Sequence, residues 1–117
     1  GVETLYPLLL ESVRQGELSL ERVRDVVAAN PAAAFGLEQK GRVAEGRDAD
    51  LVLVDLADPR EIEAAALHSA CGWTPFEGLR GVFPEVTLVR GEPVYERDPA
   101  TGAASFGDAV GRNVRES

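Results

Sequence analysis

The chain has 117 residues, 44% apolar and 27% charged, with a formal net charge of −8. That length sets one domain, or part of one, as the expectation, and the composition suffices for a hydrophobic core. The acidic balance argues against a nucleic-acid partner, whose phosphates need clustered Lys and Arg, and no run approaches the roughly 18 consecutive apolar residues of a membrane span.

Of the twelve basic residues, Lys40 is the only Lys. Few Lys beside abundant Asp, Glu and Ala is the surface of a salt-adapted protein, where salt screens acidic self-repulsion. An ordinary acidic cytosolic enzyme is the alternative. Cys71 stands alone, which excludes an internal disulfide and fits a reducing, cytoplasmic compartment. The sequence holds no Met and starts Gly1-Val2-Glu3, straight into a helical pattern, so Gly1 reads as an internal position. No charged-then-apolar signal segment is present.

Residues 3–15 predict a helix. Leu5, Leu8, Leu9 and Val13 form its stripe, broadened by Tyr6 and Leu10. Thr4 is the expected N-cap, Pro7 lies in the first turn and Gly16 is the stop. A second helix is expected from about Leu20 to Ala29, capped by Ser19, with Leu20, Val23, Val26 and Val27 as its stripe. Asn30-Pro31 is expected to end it and to open a short helix over Ala32–Phe35, with Asn30 as N-cap and Gly36 as stop. Phe35 and Leu37 would pin that helix to the preceding layer.

The periodicity changes at Gly41. A short strand centred on Val43 is expected between glycine turns. Leu51-Val52-Leu53-Val54, closed by Asp50 and Asp55, predicts a strand buried on both faces. Asp58-Pro59 is a turn, Glu61 to Leu67 a short helical turn, and His68 to Gly78 a loop. Val86–Val89 and Pro93–Glu96 predict a hairpin across Arg90-Gly91-Glu92. Pro93 places the return strand at an edge, or stands at its first residue. Beyond Asp98-Pro99 a surface tail is expected, anchored by Phe106, Val110 and Val114.

Candidate chemistry is sparse. Gly41 to Asp48 mimics a phosphate-binding loop, but Arg47 replaces the Lys, Asp48 replaces the magnesium-binding hydroxyl, and the loop precedes its strand. A glycine turn is the better reading. His68 and Cys71 are three apart, yet zinc needs three or four ligands and no second His or Cys exists. Pairing His68 with Ser69 or Cys71 as a nucleophile is equally weak. A capping or loop-bridging hydrogen bond suits His68 better. Trp73, Pro75 and Phe76 plug a sheet end or mark a subunit contact. The acid pairs Asp48/Asp50 and Glu61/Glu63 suit solvated faces, with Asp50 and Asp55 satisfying turn N–H groups. Residue chemistry alone yields no active site.

The order of motifs is more informative. Gly1-Val2-Glu3-Thr4 with the apolar run to Leu10 resembles the segment after the last metal ligand in dihydroorotases. Asn30-Pro31-Ala32 through Phe35-Gly36-Leu37 is similar to the N-P-A-x-x-F-G-L helix of cyclic amidohydrolases. Gly41-Arg42-Val43 through Glu45-Gly46 to Asp48-Ala49-Asp50-Leu51-Val52-Leu53 looks like the C-terminal signature of that superfamily. His68-Ser69 followed by Thr74-Pro75-Phe76-Glu77-Gly78 resembles the dihydroorotase P-F-E-G loop. Val89-Arg90-Gly91 to Val94-Tyr95-Glu96 matches the closing hairpin, and Gly111 with Asn113-Val114-Arg115 the end of archaeal members. Allantoinases and dihydropyrimidinases are close behind.

The resemblance implies an α/β fold: in full length a (β/α)8 barrel with a small composite β-sandwich. Residues 1–40 would be the last barrel helices, 41–96 the C-terminal share of the sandwich and 97–117 a surface tail. It implies zinc-dependent, reversible cyclisation of N-carbamoyl-L-aspartate to dihydroorotate in pyrimidine synthesis, with a small-molecule substrate. The family's metal ligands lie upstream, so no catalytic or metal residue maps here; Lys40 and His68 stand in the wrong motifs. Gly1 matches the Gly of a Pro-Gly that offers a backbone contact to substrate, which makes it the one substrate-binding candidate. Ala70-Cys71-Gly72-Trp73 departs from relatives, which usually carry a Lys there. The partner implied is the N-terminal barrel portion of the same protein; a homo-oligomer is compatible, as is a non-catalytic scaffold subunit.

Overall fold

The computed structural model describes residues 1–114; Arg115 of the last motif lies outside the described residues. The chain forms two compact units, Gly1–Val23 with Asp55–Phe83, and Arg24–Val54 with the chain from Pro84 onward. Among the described residues, no helix is long and apolar enough to cross a membrane.

The first unit is built on α1, Leu5–Arg14. Thr4 stands at its N-cap, but its side chain makes no capping bond. The Gly1 carbonyl accepts Leu5 N–H at 3.0 Å and the Thr4 hydroxyl at 3.4 Å, which fastens the first turn from outside. The buried positions are Thr4, Pro7, Leu10 and Glu11, while Leu5 is 61% exposed. The stripe is therefore rotated from the expected Leu5–Leu8–Leu9–Val13 set.

A two-stranded pair packs on this face of the helix. Strands β2 (Arg60–Glu61) and β3 (Arg80–Gly81) pair antiparallel. Val82 N–H donates to the Pro7 carbonyl at 3.0 Å, and a Cβ on Gly81 would lie 2.9 Å from Pro7 Cβ. Only glycine lets the strand come this close. Leu10, Ile62, Val82 and Val23 are the fully buried core, each contributing about 1.5–3 kcal/mol by leaving water. Gly16, at φ +81°, ends the helix as expected.

Glu11 is a buried carboxylate on α1. Arg14 grips it through Nη2 at 2.6 Å and Nε at 2.8 Å, and Gln15 Nε2 adds a third bond at 2.8 Å. The Arg14 bonds, chiefly, hold its pKa down at about 2 against the opposing effect of burial. A depressed carboxylate stabilises the fold fully above its unfolded value of roughly 4.3, and the contribution is lost as pH falls towards the folded value. Stability is thus expected to fall between about pH 5 and pH 2, and Glu11→Gln to flatten that limb. Urea melts across this range check it; an unchanged slope in the variant would refute the assignment.

Helix α2 spans Leu20–Arg24, and Ser19 Oγ accepts Arg22 N–H at 3.1 Å, the cap expected. The helix does not stop at Asn30. A π-helical turn covers Asp25–Ala29, and α3 runs on over Asn30–Ala34 with helical angles at Ala29 and Asn30. Asn30 is thus a helical residue and not an N-cap. Pro31 has no N–H, and its ring crowds the carbonyl four residues back. A π turn, closed by Asn30 N–H on the Asp25 carbonyl, takes up that mismatch. Gly36 N–H then bonds the Ala33 carbonyl at 3.2 Å and Leu37 N–H the Ala32 carbonyl at 2.8 Å. With Gly36 at φ +68° this is a Schellman ending. Phe35 is 65% exposed and pins nothing.

No strand forms at Val43, which is 88% exposed. The backbone there serves Gly41, which packs against α3. The second unit's sheet has the order β1-β4-β5-β6, all antiparallel. Its strands are β1 (Leu51–Val54), β4 (Pro84–Val89), β5 (Glu92–Arg97) and β6 (Ala104–Phe106). Strand β1 forms where expected but lies at an edge. Among the described residues β4 is its one strand neighbour, and Val52 and Leu53 are 43% and 53% exposed, so both faces are partly open.

Arg90 and Gly91, at φ +47° and +80°, make the two-residue turn between β4 and β5. Left-handed angles at both central positions match the twist of a hairpin. Strand β5 is interior, and Pro93 is its second residue, against both expectations. Pairing with β6 covers only Tyr95–Arg97, so the missing N–H of Pro93 falls outside that ladder. Strand β6 itself replaces part of the expected tail, held by Phe106 edge-on to Tyr95 at 5.4 Å.

Candidate functional site

In the first unit, the start of α1 meets the His68–Gly78 loop through one carboxylate. Glu3 Oε2 accepts His68 N–H at 2.7 Å, and Oε1 lies 2.6 Å from His68 Nδ1. Burial pushes the Glu3 carboxyl up, but the His68 hydrogen bonds outweigh it and hold the group below its ordinary value. His68 thus makes the loop-bridging bond expected of it. Gly1 is exposed, with its carbonyl turned into the first helical turn and open space where a side chain would stand.

The loop is shaped by its own polar residues. Thr74 Oγ1 accepts Phe76 N–H at 3.2 Å. Glu77 Oε2 accepts Ala64 N–H at 2.7 Å, which caps the 3-10 turn Ala64–Ala66. Ser69 Oγ sits 2.9 Å from Cys71 Sγ and holds that exposed thiol below its ordinary pKa. Trp73 is 65% exposed, so it plugs no sheet end. The contributions of Glu3 and Glu77 escaped single-residue reasoning, which saw only their motifs.

In the second unit the Gly41–Asp50 stretch carries a charge network. Lys40 Nζ lies 2.6 Å from Asp50 and 2.9 Å from Asp48, and both carboxylates raise its pKa, Asp50 first. Asp50 Oδ1 also accepts Arg90 N–H at 2.9 Å, on the left-handed turn residue. Burial pushes the Asp50 carboxyl up, while Lys40 and the Arg90 amide pull it below its ordinary value. Arg47 donates to the Lys40 carbonyl at 3.1 Å, and the Arg90 guanidinium to the Val110 carbonyl. In the first unit, Asp55 Oδ1 accepts Ala57 N–H at 2.9 Å. Asp50 and Asp55 therefore satisfy turn N–H groups as expected. An open cavity of about 570 Å³ beside this network is lined by Val27, Phe35, Lys40, Val43, Arg90 and Arg112, among others. Lys40, Asp48, Asp50 and Arg90 in its wall are tied in ion pairs and loop bonds, an arrangement that fixes loops rather than transfers protons.

Zinc would need His, Cys, Asp or Glu side chains in groups of three or four. Among the described residues, no three of these stand together so as to hold a metal ion.

Comparison with known proteins places this scaffold. The chain is 60% identical over 116 residues to a dihydroorotase of Halobacterium salinarum, covering 99% of the chain and 26% of that protein. It is 46% identical over 121 residues to a dihydroorotase of Methanosarcina acetivorans, again 99% of the chain and 26% of the relative. The L-hydantoinase (dihydropyrimidinase) structure from Arthrobacter aurescens superposes with TM-score 0.77 at 39% identity, over 82% of the chain and 22% of that enzyme. The chain thus spans about a quarter of the length of the curated relatives it matches. Residues 12–95, from within α1 to the middle of β5, match the amidohydrolase family, and it is to this family that the chain belongs.

Proposed function

We propose that the chain is the C-terminal region of a dihydroorotase-type metal-dependent amidohydrolase. The whole protein interconverts N-carbamoyl-L-aspartate and dihydroorotate in the cytoplasm, with zinc as its metal. The observation that carries this reading is 60% identity to a dihydroorotase across essentially the whole chain. Residues 1–40 serve as the last helices of a (β/α)8 barrel and 41–96 as the C-terminal share of a β-sandwich, whose sheet the following chain extends with β6. The zinc ligands belong to the barrel portion that completes the site. Gly1 lends a backbone contact to the substrate; its exposure supports that role, with its carbonyl engaged in the helix turn and its other face open.

A hydantoinase is the second reading, favoured by 37% identity to an L-hydantoinase of Paenarthrobacter aurescens over the full chain. The test uses the full-length protein and offers dihydroorotate, a hydantoin and allantoin side by side. The highest kcat/KM is expected on dihydroorotate, lost on chelation and restored by zinc. A preference for the hydantoin would replace this reading with the second one. No turnover and no bound metal would mark a non-catalytic scaffold.

A further inference from the structure

Glu3 and His68 are separated by 65 residues in sequence, yet a single carboxylate engages both the backbone N–H and the ring of His68, at 2.7 and 2.6 Å. Two bonds from one carboxylate fix the direction of the chain at His68 as well as its ring. On one side, Glu3 lies two residues from Gly1, whose carbonyl is bound by Leu5 N–H in the same turn. On the other, His68 begins a loop that Glu77 and Thr74 fold at its far end but that carries exposed residues between, Cys71 and Trp73 among them.

We propose that Glu3 and His68 are positioning residues. Their pairing latches the His68–Gly78 loop to the start of α1 and so holds the Gly1 backbone in one fixed geometry for the substrate. The idea rests on the functional reading above for its catalytic consequence, but the latch itself does not. The pair is partly solvated, with side-chain exposures of 66% for His68 and 37% for Glu3, so water competes and the effect is moderate. Charge-assisted bonds to a carboxylate are nonetheless the stronger kind.

The test takes Glu3→Ala, Glu3→Gln and His68→Ala in the full-length protein. Hydrogen exchange is followed across the loop, and KM and kcat for dihydroorotate are measured separately. In Glu3→Ala, exchange at His68 and its neighbours is expected to rise roughly 3- to 10-fold. KM should rise by a similar factor while kcat changes little, since a contact made equally to substrate and transition state affects binding and not the chemical step. Glu3→Gln should fall between, because an amide oxygen still accepts the backbone bond. His68→Ala, at an exposed position that tolerates truncation, should loosen the loop without unfolding the protein. Unchanged exchange in Glu3→Ala and His68→Ala would overturn the latch. Faster exchange with an unchanged KM would overturn the positioning role. Faster exchange in a protein inactive on dihydroorotate would support the latch and overturn the functional reading instead.

Discussion

Gly41→Ala is expected to destabilise the protein by about 2–5 kcal/mol, one of the largest single-residue effects in the chain. Two independent costs meet at this position. Gly41 sits at φ +87°, where an L side chain adds strain of roughly 1–2 kcal/mol. A Cβ would also stand 2.6 Å from Ala32 Cβ and 2.9 Å from the Ala28 carbonyl oxygen. Ala32 is buried on α3, and the Ala28 carbonyl belongs to helical backbone, so neither yields without shifting a turn of helix. Gly46→Ala separates the two costs. Gly46 has almost the same angle, φ +81°, but nothing within 4 Å of its Cβ position. It should lose only the strain contribution. Urea midpoints of the two variants decide the matter: equal losses would show that the close approach to α3 contributes nothing.

That contrast also shows what a sequence reveals and what it withholds. Both glycines were legible as turn residues, since left-handed turns favour glycine. Their difference was not, because it depends on Ala28 and Ala32 arriving from a helix. The same limit appears elsewhere. Asn30-Pro31 carries a strong stop signal, and the chain passes through it as helix, by way of a π turn over Asp25–Ala29 that no local pattern announces. Strand β6 has no alternation to detect; Phe106 finds Tyr95 only after the Asp98–Gly102 turn has folded back, with Gly102 N–H on the Asp98 carbonyl at 2.7 Å. For the candidate site, Gly1 and the P-F-E-G loop stood out as motifs in a known order. The Glu3–His68 pair could not be read, because its partners lie in separate motifs and neither spacing nor periodicity connects them.

The second large effect concerns β1, whose sequence was legible and whose burial was not. Four branched apolar residues in a row describe a strand that expects partners on both sides and cover on both faces. Among the described residues β1 has β4 alone as its neighbour, and Val52 and Leu53 are about half exposed. An uncharged apolar edge with free backbone donors and acceptors is a template for another strand. At tens of micromolar the 117-residue chain is therefore expected to associate, with sedimentation showing dimers or larger species. Val52→Lys and Leu53→Lys place charge on the two faces of that edge, a common way of blocking strand addition. Together they should return the chain to monomer without disturbing its β4 pairing. In the full-length protein the same pair should destabilise, since a β-sandwich shared with the rest of that protein would bring a second neighbour to this edge, which the lysines would meet. A 117-residue chain that stays monomeric and unfolds cooperatively in calorimetry would overturn the argument. So would association that the two lysines leave unchanged, because the contact would then lie elsewhere on the surface. Opposite signs in the two contexts are the decisive signature: one substitution pair that solubilises the isolated chain and weakens the complete protein identifies β1 as an interior strand deprived of its neighbour.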